Sequence, residues 1–157
     1  MLFRSIGAVT TRMEIAKTLT QRIHFNTFGG NPVSAAAALA VLDIIDEDGL
    51  QENARVVGGR LRAGLVRLMR AHPLIGDVRG MGLMLGVELV RDRATRSPAK
   101  AETVDLLESC RELGVLVGKG GIDGNVLRIK PPMCITAADA DFAIDVLHQA
   151  LGAVGGK

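Results

Sequence analysis

The sequence predicts an α+β chain on three observations: one long amphipathic helical stretch, one alternating stretch with the period of a half-buried strand, and helix-start signals on both sides of the strands. The 157 residues are 48% hydrophobic and 23% charged, close to ordinary globular usage. That is about one domain of chain, able to bury roughly 70% of its unfolded surface. The order is strand, helices, then strands and helices, in α+β style.

Residues 6–11 are short, apolar and β-branched and read as the end of a strand. Residues 14–19 read as a short helix, and residues 26–30 as a polar, glycine-bearing turn. Asn31-Pro32 then opens a helix, because Asn is a good N-cap and Pro is pre-set for the first helical position. That helix runs through alanine-rich residues 34–40 into Ile44 and Ile45 and stops near Gly49. Val33, Ala36, Ala37, Ala40 and Val41 lie close on one side of it, an apolar patch of the kind that marks an interface. A second helix is expected over residues 50–71. Leu50, Ala54, Val57, Leu61, Leu65 and Leu68 recur there at three- and four-residue intervals, and His72-Pro73 ends it.

Residues 75–79 and 83–90 read as strands around a Gly80-Met81-Gly82 turn, where the glycines permit unusual dihedrals. In the second strand Leu83, Leu85, Val87 and Leu89 alternate with Met84, Gly86 and Glu88. Residues 91–100 read as an exposed loop and residues 101–113 as a third helix. Short strands are expected at 115–117 and 126–129, joined by a Gly-rich turn at 118–124. Pro131-Pro132 breaks the chain. Thr136 with Asp139 three residues on resembles a capping box for a last helix to about Leu151. Residues 1–30 supply no domain of their own and read as the tail of something larger upstream.

Several function classes are disfavoured. With four Phe, no Trp and no Tyr, the chain lacks the aromatic platforms of base-stacking modules. The net charge of +2 comes with no basic run, so no nucleic-acid partner is expected. Arg55, Arg60, Arg62, Arg67 and Arg70 interleave with Leu61, Leu65 and Leu68 and read as a solvated helix face. Cys110 and Cys134 read as core fillers in a reduced compartment. His24, His72 and His148 are scattered without metal-ligand spacing, so no metal site is expected. No stretch approaches about 18 uninterrupted apolar residues, so no membrane partner is expected either. The apolar run in Met1-Leu2-Phe3-Arg4-Ser5 is too short for a signal peptide.

The chemically informative stretch is His24-Phe25-Asn26-Thr27-Phe28-Gly29-Gly30-Asn31-Pro32. A hydroxyl, two glycines and a helix start come together, and amide donors with the positive end of a helix dipole favour a phosphate. It is no P-loop, since no Lys-Ser/Thr follows, and a Gly-Gly turn before a helix can equally be purely structural. The string resembles the T-F-G-G-N-P segment of class-III, fold-type I aminotransferases, which use pyridoxal 5'-phosphate. Gly7-Ala8-Val9 and Glu14-Ile15-Ala16 resemble that family's stretch after its cofactor lysine. Gly76-Asp77-Val78-Arg79-Gly80-Met81-Gly82-Leu83-Met84 is similar to its V-R-G-x-G-L-M turn, and Val126-Leu127-Arg128-Ile129-Lys130-Pro131-Pro132 to its R-x-x-P-P segment.

The resemblance implies the small C-terminal domain of such an enzyme over residues 50–157, a connecting helix over 31–49 and a remnant of the large cofactor-binding domain over 1–30. It assigns Thr27 to the cofactor phosphate across a dimer interface, with Phe28 and Gly29 shaping the same wall, and Arg128 to the substrate carboxylate. A fixed guanidinium fork suits a carboxylate; without the family, Arg128 reads equally as a surface-paired strand arginine. Arg79 reads as structural. No catalytic residue is expected in the chain. Neither Lys119 nor Lys130 matches the Schiff-base lysine, which the family's spacing puts before Met1.

The parent reaction so implied moves an amino group from an amino acid such as alanine to a 2-oxo acid such as glyoxylate. It would occur in a homodimer or higher homo-oligomer, in the cytoplasm or, with a longer eukaryotic precursor, in mitochondria. The isolated chain is then expected to be inactive. Alternatives are an aminomutase or a decarboxylase on the same fold, or a non-catalytic dimerising or anion-binding module.

Overall fold

A computed structural model describes residues 7, 9–23 and 25–155. The opening residues 1–5, His24 and the final Gly156-Lys157 lie outside these. The strand end expected at 6–11 falls partly outside them, at Ile6 and Ala8. Gly7 and residues 9–11 form no strand, and no described strand pairs with them. β-branched composition alone does not make a strand; a ladder partner must take its backbone groups.

The chain divides into two compact units, Met1–Asp48 and Gly49–Lys157. The first holds helices α1 (Met13–Leu19) and α2 (Pro32–Glu47). Asn31 stays extended and its side chain accepts from the Ser34 amide at 2.9 Å, with Pro32 in the first helical turn. The sequence signal for this start is therefore met in full. Neither helix has a buried residue.

The second unit begins with Gly49 in a left-handed conformation and runs α3 (Leu50–Ala71), β1 (Ile75–Met81), β2 (Met84–Asp92), β3 (Ser97–Pro98), α4 (Lys100–Glu112), β4 (Gly118–Gly120), β5 (Val126–Ile129) and α5 (Ala137–Gly155). The sheet has the order β1-β2-β5-β4, with β3 added on β2, and every described pairing is antiparallel. Val78, Val87 and Leu127 stand opposite one another, as do Leu85 and Ile129. These residues form the core with Leu61 and Leu65 of α3, Leu106 and Cys110 of α4, and Leu147 and Leu151 of α5. The opposite face of the sheet carries Arg79, Gly86 and Arg128 in one row.

Four expectations need correction. The hairpin turn is Gly82-Leu83, and Gly80-Met81 belongs to β1. Gly80 and Gly82 do have positive φ, at 127° and 55°, and Gly82 takes the first central position, where a two-residue hairpin of the II′ kind requires it. Residues 91–100 are not wholly loop, because β2 extends to Asp92 and Ser97–Pro98 pair with it; Pro98 is tolerated on an edge. The fourth ladder is at Gly118–Gly120, not 115–117. Cys134 is exposed, while Cys110 is buried, where burial pushes its thiol up to about 11.

The capping box forms reciprocally: Asp139 accepts from the Thr136 amide at 3.0 Å and the Asp139 amide donates to the Thr136 hydroxyl at 3.1 Å. The helix it starts continues past Leu151 to Gly155.

Candidate cofactor and substrate contacts

Thr27, Phe28 and Gly29 lie in one turn before α2. The Asn26 carboxamide organises it, accepting from the amides of Phe28 and Gly29, each at 3.1 Å. Asn31 closes the other end: its side-chain NH2 donates to the Phe28 carbonyl at 3.0 Å. Gly30, at φ 70°, reverses the chain into the helix. Two amides that the sequence offered as anion donors are therefore already engaged inside the turn. The exposed Thr27 hydroxyl has no hydrogen-bond partner among the described residues. Phe28 is 80% exposed.

Arg128 lies on β5, and its backbone is flanked by Gly86 on β2 and Gly118 on β4. Its side chain is exposed and forms no ion pair with any described residue. Arg79, in the same row, differs. It donates to Asp77 at 2.8 Å and Glu88 at 2.6 Å, and those bonds hold its guanidinium above the ordinary arginine range. That is a structural arginine, as its sequence position suggested. Arg128 and Lys130 help line a cavity of about 640 Å³ that Leu116 and Phe142 also border. Asp139 lines it as well, so two cationic side chains and one carboxylate stand beside exposed apolar surface.

Lys119 and Lys130 are both exposed, without the desolvation that makes a lysine nucleophilic. Among the described residues no group of three or more His, Cys, Asp or Glu is placed to hold a metal ion. No described helix is long and apolar enough to cross a membrane.

Sequence reading missed three arrangements that only pairing in space creates. Asn125 is buried and its side chain donates to the Leu89 carbonyl at 2.8 Å, extending the β2–β5 junction. Arg93 donates to the carbonyls of Ile75, Met69 and His72, capping the C-terminal end of α3. His72 and His148, 76 residues apart, approach to 2.7 Å between Nε2 and Nδ1. Burial first, then the neighbouring imidazole, hold the His72 ring below its ordinary value.

The family model of aminotransferase class-III matches residues 4–151. The chain belongs to the class-III aminotransferases. Alanine–glyoxylate aminotransferase 2 homolog 2 of Arabidopsis thaliana, described as mitochondrial, is 55% identical over 93% of this class-III chain and 31% of its own length. The human alanine–glyoxylate aminotransferase 2, also described as mitochondrial, is 45% identical over 93% of the chain and 29% of its own length. The chain thus spans about a third of these relatives. Among solved structures, a phospholyase from Arthrobacter in complex with phosphoethanolamine superposes with a TM-score of 0.83 at 36% identity, over 91% of this chain and 34% of that one. An amine transaminase from an uncultivated Pseudomonas species, in its PLP-bound form, does so with a TM-score of 0.78 at 35% identity, over 87% and 31%. The expected class-III membership and the α+β character are both borne out.

The described residues fit one end of pyridoxal phosphate and not the other. The unpartnered Thr27 hydroxyl, before a helix start, suits a phosphate oxygen. For the reactive end, every described lysine is exposed.

Proposed function

We propose that this chain is the part of a class-III aminotransferase that recognises the substrate carboxylate and completes the cofactor's phosphate site, over residues 50–157 and 1–30 respectively, with 31–49 as the connecting helix. The observation that carries the reading is the exposed Arg128 guanidinium, without an ion-pair partner among the described residues, beside a paired Arg79 in the same row. An ion-paired arginine is spent; an unpaired one on a sheet face remains available to a bidentate anion.

The whole enzyme's reaction is read as amino transfer from alanine to glyoxylate, giving pyruvate and glycine. Likeness to two alanine–glyoxylate aminotransferases 2, at 55% and 45% identity, supports that choice over mutase or decarboxylase chemistry. Pyridoxal phosphate, when bound, supplies the electron sink for the amino acid's α-carbon. Arg128 would hold the carboxylate of amino and oxo acid in turn, fixing how the bonds of the α-carbon are oriented. Thr27 donates to the phosphate of a partner subunit in a homodimer or larger homo-oligomer, with Phe28 and Gly29 shaping the wall beside it. The proton-moving lysine is none of those described, and the reaction is read as belonging to the cytoplasm or the mitochondrion.

The test is to incubate the purified chain with pyridoxal phosphate, reduce with borohydride and map the peptides. No stoichiometric label is expected on any lysine, and no turnover of alanine with glyoxylate. Stoichiometric labelling of Lys119 or Lys130 would overturn the reading.

A further inference from the structure

We infer that Gly118, on the edge strand β4, is a specificity-determining position: its missing side chain leaves the space in which the Arg128 guanidinium lies, and so sets where that guanidinium meets a carboxylate. The inference rests on the reading of Arg128 given above.

Arg128 stands opposite a glycine on each side, Gly86 on β2 and Gly118 on β4. Side chains directly opposite in an antiparallel pair share a face with Cβ atoms about 5 Å apart, so either position could crowd the arginine. The two are not equivalent. A Cβ at Gly118 would lie 3.2 Å from Arg128 Nε and 3.3 Å from Nη2. A Cβ at Gly86 would meet Val126 Cγ1 at 3.5 Å and Arg79 Cγ at 3.8 Å, and no atom of Arg128 within 4 Å. The guanidinium therefore leans across β4 and away from β2.

Backbone geometry does not explain the glycine. Gly118 is not among the positive-φ residues, unlike Gly121 and Gly124 beyond it, so alanine can take the same backbone. A strand glycine of that kind marks close approach of another group. Here the approaching group is the planar fork itself. Two parallel N–H···O bonds to a carboxylate need that plane held in register, so displacing it weakens the hold on amino and oxo acid alike. A methyl group at 118 must push the fork outward, because Nε and Nη2 are the atoms it meets.

The experiment uses the complete enzyme and four variants: Gly118→Ala, Gly86→Ala, Arg128→Ala and the Gly118→Ala/Arg128→Ala double. Gly118→Ala is expected to raise KM for alanine and for glyoxylate about fivefold with kcat nearly unchanged, the signature of lost uniform binding. It should leave a simple amine lacking a carboxylate unaffected. Gly86→Ala should behave as the parent. In the Arg128→Ala background the Gly118 change should add nothing, as coupling through one partner requires. Independently of turnover, the Arg128 Nε–H resonance of the 157-residue chain should move in Gly118→Ala and stay in Gly86→Ala. An unmoved resonance with unchanged KM, or equal losses for alanine and the amine, overturns the inference. If Gly118→Ala alone does not fold, the double variant should fold again; its failure to do so also overturns it. If Arg128→Ala does not separate alanine from the amine, the carboxylate reading itself falls. If it does and Gly118→Ala does not, only the role of Gly118 falls.

Discussion

Helices α2 and α3 are consecutive in the chain and opposite in design. α2 is apolar nearly all round, with Leu39, Val41, Leu42 and Ile44 among its exposed residues, and buries nothing. α3 is far more polar, carrying five arginines, yet buries Val57, Leu61, Leu65 and Leu68 in one stripe. A helix that is hydrophobic on every side belongs in a larger interior, whereas an amphipathic one needs a single core face. The second unit therefore supplies what α3 needs, whereas no residue of α2 is buried among the described residues. That fits a chain spanning about a third of its class-III relatives.

The comparison breaks most sharply on two leucines. Leu65 is 1% exposed and Leu39 is 62% exposed. Leu65→Ala should destabilise the chain by about 2–5 kcal/mol, and Leu39→Ala should stay within about 0.5 kcal/mol, read from denaturant midpoints at concentrations dilute enough to keep the chain monomeric. Similar losses at both sites would mean that α2 is packed in solution.

A somewhat smaller effect concerns association. The chain alone should self-associate and bind an apolar dye through α2, where Val33, Ala36, Ala37, Ala40 and Val41 are all exposed. Charged replacements at Leu39 and Val41 should reduce both signals. A compact monomer without dye binding, seen by light scattering, would count against the difference between the helices.

The smallest expected effect is on acid stability. Asp139 is held below its ordinary 3.8 chiefly by the Thr136 hydroxyl, and Asp141 by the Arg60 guanidinium. A carboxylate lowered in the folded state stabilises above its unfolded value, and that support is lost as pH falls through the folded value. His72 acts earlier. Its folded value lies below 6.5, so the unfolded chain binds more protons between the two and stability drops as pH falls below 6.5. Denaturant midpoints should thus decline in two stages on acidification. Thr136→Ala should flatten the later one, and His148→Ala should reduce the earlier one.

How far the sequence could be read follows the same division. Both ends of α2 and α3 were legible, because Asn31-Pro32, Gly49 and His72-Pro73 act through local backbone chemistry. So was the buried row of β2, since a period of two needs no partner to be seen. β4 was misplaced for the converse reason. Val115-Leu116-Val117 has the composition of a strand, but the ladder forms at Gly118-Lys119-Gly120, whose partners on β5 are Arg128, Leu127 and Val126. Arg128 was singled out through its R-x-x-P-P setting, and its carboxylate role is a proposal. Its flanking glycines, the His72–His148 contact and the Asn125 clamp required knowing which strands and helices meet.

The most direct measurement on the central claim compares Arg128→Ala with the parent in the complete enzyme, using alanine and a simple amine without a carboxylate. A lost hydrogen-bonded charge contact is worth about 1.5–3 kcal/mol, so KM for alanine should rise roughly ten- to a hundredfold while the amine is spared and the cofactor's absorbance is retained. Equal impairment with both substrates would contradict the account and make Arg128 a structural residue.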